Sequence, residues 1–204
     1  MTPNEKERIL TEHKTRLSDH KYGADDYDDM IHIASVITSA CQKLEVEIPV
    51  IVGGLAVETY TSGGYSTCDI DFITNSDSDI RMIMESLGFI RRLGYRYWSH
   101  PLFGDIVEFS TPPLDGSRDK ITIVQFGNDE ECYFQGVEDV IIGRLEEFLY
   151  WDKKNLESAS SVQLRLLLHA QKENIDSDYL QHQATQRGLL DALNLILSNI
   201  DSLQ

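Results

Sequence analysis

The chain has 204 residues, of which 41% are hydrophobic and 25% charged, enough for one substantial core with a smaller appendage and unlike a disordered or fibrous chain. No apolar run approaches the roughly 20 residues of a membrane-spanning helix, and the charged start MTPNEKERILTEHKTR has no signal-peptide core. The expected location is therefore cytoplasmic, with no membrane partner. A formal charge of −16 removes any general attraction to a phosphate backbone, so a grip on nucleic acid would have to be local.

Taken in order, residues 4–20 mix charges with sparse apolar positions (Ile9, Leu10, Leu17) and predict a solvated helix or a loose arm. After Asp25–Asp29, Met30, Ile33, Ala34, Ile37, Ala40, Cys41 and Leu44 recur at three- and four-residue steps, an amphipathic helix with acids at its positive end. His32 falls off that apolar face and is expected at the surface. Pro49–Val52 reads as a short buried strand ending in Gly53-Gly54, and Leu55 to about Thr61 as the helix it launches. Ser62-Gly63-Gly64-Tyr65-Ser66 reads as a loop, and Asp69–Thr74 as the next strand. Asn75-Ser76-Asp77 is expected to cap a helix over Asp79–Leu87 that closes at Gly88. Three strands then follow: Phe89–Trp98, Asp105–Ser110 and Ile121–Phe126, separated by Ser99-His100-Pro101 and by the Pro112–Gly116 turn. From Val137 the pattern is helical: Glu138–Trp151, Ser160–Gln171, Ser177–Arg187 and Leu189–Leu203. The expected fold class is α+β, a mixed twisted sheet with flanking helices over residues 1–135, followed by a helical subdomain over residues 136–204. Cys41, Cys68 and Cys132 are too far apart for a zinc knuckle and read as small buried or half-buried side chains.

The chemistry concentrates in Ile48–Thr74. Residues two apart in a strand share a face, so Asp69 and Asp71 point one way while Ile70 and Phe72 point into the core. Two adjacent carboxylates repel each other unless solvent or a cation compensates, and oxygen-only ligands suit a hard ion such as Mg²⁺ or Mn²⁺. Glu108, flanked by apolar residues in Ile106-Val107-Glu108-Phe109, is the best third carboxylate; Asp105, the competitor, falls on the opposite face of its strand. Gly53-Gly54, at a strand-to-helix turn, reads either as a phosphate cradle at a helix start or as a tight turn with no ligand. Ser66 and Thr67 are candidates to donate to phosphate oxygens, or to the loop backbone.

Gly53-Gly54, a helix and a loop, then Asp69-Ile70-Asp71-Phe72 resemble the signature of the nucleotidyltransferase superfamily, the polymerase-beta-like fold, and Val107-Glu108-Phe109 is similar to its third-carboxylate strand. The helical second half, opening with Glu138-Asp139-Val140-Ile141-Ile142-Gly143-Arg144-Leu145, resembles the appendage of the abortive-infection toxin branch. The resemblance implies that Asp69, Asp71 and Glu108 hold a divalent metal, Mg²⁺ or Mn²⁺. It also implies that Glu108 takes the acceptor's proton and that Gly53 and Gly54 contact a nucleoside triphosphate. The activity implied is transfer of a nucleoside monophosphate to an acceptor hydroxyl on transfer RNA, protein or a small molecule, with a small antitoxin protein as partner if the chain is a toxin. Two features depart from that pattern. The spacer after Gly54 is slightly long, and Tyr65-Ser66-Thr67-Cys68 lacks the basic residue often found before the aspartate pair.

One basic stretch stands out: residues 81–100 carry Arg81, Arg91, Arg92 and Arg96 against Glu85, a net of +3 that leaves −19 on the rest. With Tyr95, Tyr97 and Trp98 interleaved, it reads either as a nucleotide-contacting strand or as a solvated edge strand guarded by arginines, its alternation sending Arg91 and Arg96 to different faces. Arg144 is expected to pair with Glu147 or Glu138, or to reach a phosphate. Trp151 reads either as a base-stacking side chain or, as is usual for such a position, as the end of a core stripe with Leu145, Phe148 and Leu149. His169 and His182 have no partner spacing and receive no role.

Overall fold

A computed structural model describes residues 1–23, 26–91, 96–127 and 130–200; the side chain of Asp105 also lies outside the described residues. The chain divides into two compact units. The first contains Met1–Leu55, Thr67–Leu114 and Ile121–Phe134, and the second contains Ala56–Ser66, Asp115–Lys120 and Gln135–Gln204.

The first unit is α+β, with three helices and a seven-stranded mixed sheet. Helix α1 (Pro3–Asp19) starts at Thr2, whose hydroxyl accepts from the Glu5 N–H while the Glu5 carboxylate accepts from the Thr2 N–H. It is anchored rather than loose. Ile9, His13 and Leu17 recur every four residues and are buried, and the ring of His13 donates from Nδ1 to the Ile9 carbonyl (2.7 Å). This leaves Nε2 to accept from Ser39 (2.9 Å) on α2 (Asp26–Lys43). Helix α2 buries Met30, Ile33, Ala34, Ile37, Ala40 and Cys41, as its periodicity predicts. Helix α4 (Asp77–Leu87) buries Ile80, Ile83, Met84 and Leu87 and ends at Gly88 in the left-handed region. Ser76 occupies its N-cap without a capping side-chain bond. The eight-residue α3 (Gly53–Tyr60) lies between α2 and α4 in the chain, and passes from the first unit into the second.

The strands are β1 (Val50–Val52), β2 (Ile70–Ile73), β3 (Ile90–Arg91), β4 (Tyr97–His100), β5 (Gly104–Ser110), β6 (Thr122–Phe126) and β7 (Glu130–Phe134). Their order is β3-β4-β5-β2-β1-β7-β6. β2 runs parallel to β5 and β1 parallel to β7, while the other pairs are antiparallel. Alternation in β2 works as expected, with Ile70 and Phe72 fully buried and Asp71 half-buried. Val50, Val52 and Leu114 form a small apolar cluster that Ile73 and Ile121 cover.

Three local expectations need correction. Phe89–Trp98 is not one strand: β3 and β4 are separate and antiparallel, pairing Ile90 with Ser99 and Arg91 with Trp98. Strand β7, which no sequence signal had suggested, closes the sheet beside β1 through Ile51 and Phe134. His32 is half-buried, not a free surface histidine. It lies 2.9 Å from the Glu130 carboxylate and 3.2 Å from the Arg16 carbonyl, stacked on His20 at 4.1 Å.

The second unit is helical: α5 (Val137–Glu146), a π-helical turn (Glu147–Trp151), α6 (Ala159–Ala170), α7 (Ser177–Gln186) and α8 (Leu190–Leu197). Its core includes Ile141, Leu145, Phe148, Leu164, Leu167, Leu189, Leu193 and Ile196. The segment Asp115–Lys120 is pinned to these helices by polar contacts. The Asp139 carboxylate accepts from the Tyr179 hydroxyl (2.8 Å) and the Ser117 N–H (3.0 Å), Lys120 pairs with Asp176 (2.7 Å), and Arg187 forks onto Asp115 (2.7 and 2.8 Å). Burial pushes the Asp139 carboxyl above its ordinary range despite those two donors. Arg144 pairs with Glu147 at 2.6 Å, the intrahelical partner anticipated. Trp151, expected in the core, is 82% exposed. The π turn adds a residue to the helical repeat and so carries Trp151 off the stripe that Leu145 and Phe148 continue. Cys41 and Cys132 are buried, but Cys68 is exposed.

Candidate functional site

Register across the sheet places the acids. In successive pairings, Val52 of β1 stands opposite Asp71 of β2, Asp71 opposite Glu108 of β5, and Glu108 opposite Tyr97 of β4. Directly paired residues present their side chains on one face, so a single row carries Val52, Asp71, Glu108 and Tyr97. Asp69 stands immediately ahead of β2, two residues before Asp71, and its Oδ1 accepts from the Thr67 hydroxyl at 2.9 Å. The Asp105 side chain lies outside the described residues.

The Glu108 side chain is 13% exposed. Arg96 reaches it through Nε at 3.2 Å, and the Tyr97 hydroxyl donates to it. The Tyr97 pKa is raised above the ordinary phenol value, first by that hydrogen bond and then by the charge of Glu108, with burial and the charges of Asp69 and Asp71 adding to it. Its hydroxyl thus senses all three carboxylates, because ionising it would add a fourth negative charge to the row. The sequence offers Arg96 and Tyr97 as part of a nucleotide-contacting strand near the site, without pairing either with Glu108. Once the strand pairing is known the alternation exposes Tyr97, since Trp98 beside it is buried and Tyr97 must point the other way.

The glycine pair has a role inside the protein. Gly53 adopts φ +67°, and a Cβ on it would overlap the Asp71 carboxylate; a Cβ on Gly54 would overlap the Thr67 side chain. Hydrogen alone fits at both positions, and the absence of side chains lets Asp71 pack against the first residue of α3, where the helix's positive end favours a carboxylate. Ser66 is exposed and Thr67 half-buried.

Among the described residues, no three His, Cys, Asp or Glu side chains stand together as a ready metal cluster. Asp69 is turned to Thr67 and Glu108 to Arg96 and Tyr97. The donor set still has the chemistry of a Mg²⁺ site, because that ion keeps several waters and takes one or two carboxylates together with substrate phosphates, not an all-protein cage. Beside Asp69, a cavity of about 440 Å³ is lined by Cys68, Ile106, Phe103, Tyr22 and Met30. No helix among the described residues is long and apolar enough to cross a membrane. Compared with protein-family models, curated proteins and solved structures, the chain matches none.

Proposed function

We propose that the chain is a Mg²⁺-dependent nucleotidyltransferase, moving a nucleoside monophosphate from a nucleoside triphosphate to an acceptor hydroxyl. The observation that carries this reading is the register of Asp71 against Glu108, with Asp69 two residues before Asp71. Two carboxylates paired on one face of parallel strands, with a third just ahead of them, have a poor structural rationale and a good chemical one. Asp69 and Asp71 would hold Mg²⁺ or Mn²⁺ with Glu108 as third ligand; when bound, the ion supplies charge neutralisation for the triphosphate and its leaving group.

The chain's own residues would do the rest. Gly53 lets the Asp71 carboxylate seat against the start of α3, Gly54 makes room for Thr67, and Thr67 holds the Asp69 carboxylate in place. Glu108 takes the proton of the acceptor hydroxyl as its oxygen bonds to the α-phosphorus; the bond to the bridging oxygen breaks and pyrophosphate leaves. For that, Glu108 must exchange its pairing with Arg96 for the acceptor. The exchange is inexpensive because the Arg96 side chain is 57% exposed and solvent screens the pair. Little is required beyond positioning and charge compensation, which fits a site of acids and backbone. A toxin paired with an antitoxin protein, acting in the cytoplasm, remains the biological setting that the sequence resemblance implies.

One observation favours a second reading, a non-catalytic nucleotide-binding module: Arg96 and Tyr97 already engage Glu108. Calorimetry with a nucleoside triphosphate and Mg²⁺ tests the metal-bridged site. Binding should require the ion and weaken at least about tenfold in Asp69→Asn/Asp71→Asn. Equal binding by that variant would remove the metal-bridged site under either reading.

A further inference from the structure

At the carboxyl ends of the parallel strands β2 and β5, a cavity of about 230 Å³ opens between Thr74–Asp77 and the tail of β5, Phe109–Pro112. Two arginines line it, Arg91 of β3 and Arg96 just ahead of β4. Had Phe89–Trp98 been a continuous strand, these two would have faced opposite ways; the β3–β4 reversal brings both to one cavity. Trp98 forms a wall, with the Arg91 guanidinium 5.8 Å from its ring centroid. Among the described residues, Arg91 has no carboxylate partner, and Asp77 is the one acid on the lining. Ser110 and Thr111 add hydroxyls. Arg96 donates from Nη1 to the Thr111 hydroxyl at 3.2 Å while its Nε stands 3.2 Å from Glu108, so a single side chain joins the cavity to the third carboxylate.

The geometry points to this cavity, whose walls Trp98 and Phe109 lie on the sheet face opposite Glu108, as a binding site for a phosphate-bearing sugar or nucleotide. A guanidinium fork is the side chain best matched to phosphate oxygens, and two of them gather here on a chain whose remaining residues are strongly acidic. The volume suits one nucleotide or one sugar phosphate. It supplies the local grip that a net charge of −16 otherwise denies. The phosphate belongs either to a nucleic-acid end or to a free sugar phosphate.

The test uses Trp98 as reporter. The chain has two tryptophans, and Trp151 lies at the surface, so Trp151→Phe leaves the cavity wall as the sole emitter. Ribose 5-phosphate, ribose and a five-nucleotide single-stranded RNA are titrated into that protein, with equilibrium dialysis of labelled ribose 5-phosphate as an independent measure. Saturable binding of a phosphate-bearing probe but not of ribose is expected, weakened about tenfold by Arg91→Gln and less by Arg91→Lys. The tighter of the two phosphate probes names the source. Binding of ribose as tight as that of its phosphate, indifference to Arg91→Gln, or no saturable binding of either phosphate probe up to millimolar concentration would each overturn the proposal. Phosphate binding that needs Arg91, in a protein that transfers no nucleotide, would retain an anion site while removing the nucleotidyltransferase reading.

Discussion

At the scale of single residues, the account depends most on Gly53, where left-handed backbone and the close approach of Asp71 coincide. Gly53→Ala has to bear both the strain and the overlap, and should cost about 2–4 kcal/mol. Gly63→Ala is the natural comparison: φ is +82° but nothing lies within 4 Å of its would-be Cβ, so strain alone, about 1–2 kcal/mol, is expected. Urea denaturation of the two variants beside the parent measures both; equal costs would mean that Asp71 does not press on Gly53. At the candidate base, Glu108→Gln should lower turnover about 10²–10⁴-fold. It should leave stability within about 1 kcal/mol, since the partner it loses, Arg96, is largely solvated.

At the scale of elements, α1 is coupled to α2 through a histidine that the fold keeps neutral. Burial lowers the His13 pKa below 6.5, against a raising hydrogen bond from the Ile9 carbonyl; Arg16 and Lys43 add to the lowering and Glu12 opposes it. The unfolded chain therefore binds this proton first, so the contribution of His13 to stability is present above pH 6.5 and is lost as pH falls through the lower folded value. Urea midpoints at pH 7.5 and 5.5 should differ more for the parent than for His13→Gln; identical differences would refute the coupling. In the second unit, Phe148→Ala should cost about 3–5 kcal/mol and Trp151→Ala under about 0.5, an inversion of the usual ranking that follows from the π turn.

Much of the element pattern was legible because it is local. The apolar period of α2, the Gly88 stop of α4 and the alternation Ile70-Asp71-Phe72 all appear in the structure as read. What escaped depends on pairing between distant segments. Strand β7 begins with two glutamates, Glu130 and Glu131, and exists because Phe134 and Cys132 are buried by partners far away in the chain. The β3–β4 reversal likewise shows only in the pairing of Ile90 with Ser99 and Arg91 with Trp98, and the roles of Arg96 and Tyr97 beside Glu108 depend on it. Arg92 and Tyr95, weighed with them, lie outside the described residues. His32 was misplaced for the same reason, since its partner Glu130 belongs to the unanticipated strand.

At the scale of the whole molecule, an acidic chain pairs Asp71 with Glu108 across two parallel strands, sets Asp69 just ahead of them and, at the carboxyl ends of those strands, opens a cavity lined by two arginines. The most direct measurement of this arrangement follows both ends of a nucleoside triphosphate. Protein, Mg²⁺ and cell lysate are incubated with triphosphate labelled either at the α or at the γ phosphate, beside Asp69→Asn/Asp71→Asn and a metal-chelated control. The account predicts that the α label becomes attached to an acceptor while the γ label is released in pyrophosphate, and that both events vanish in the variant and the control. Attachment of the γ label, release of free phosphate without attachment, or transfer that survives loss of both aspartates would contradict it.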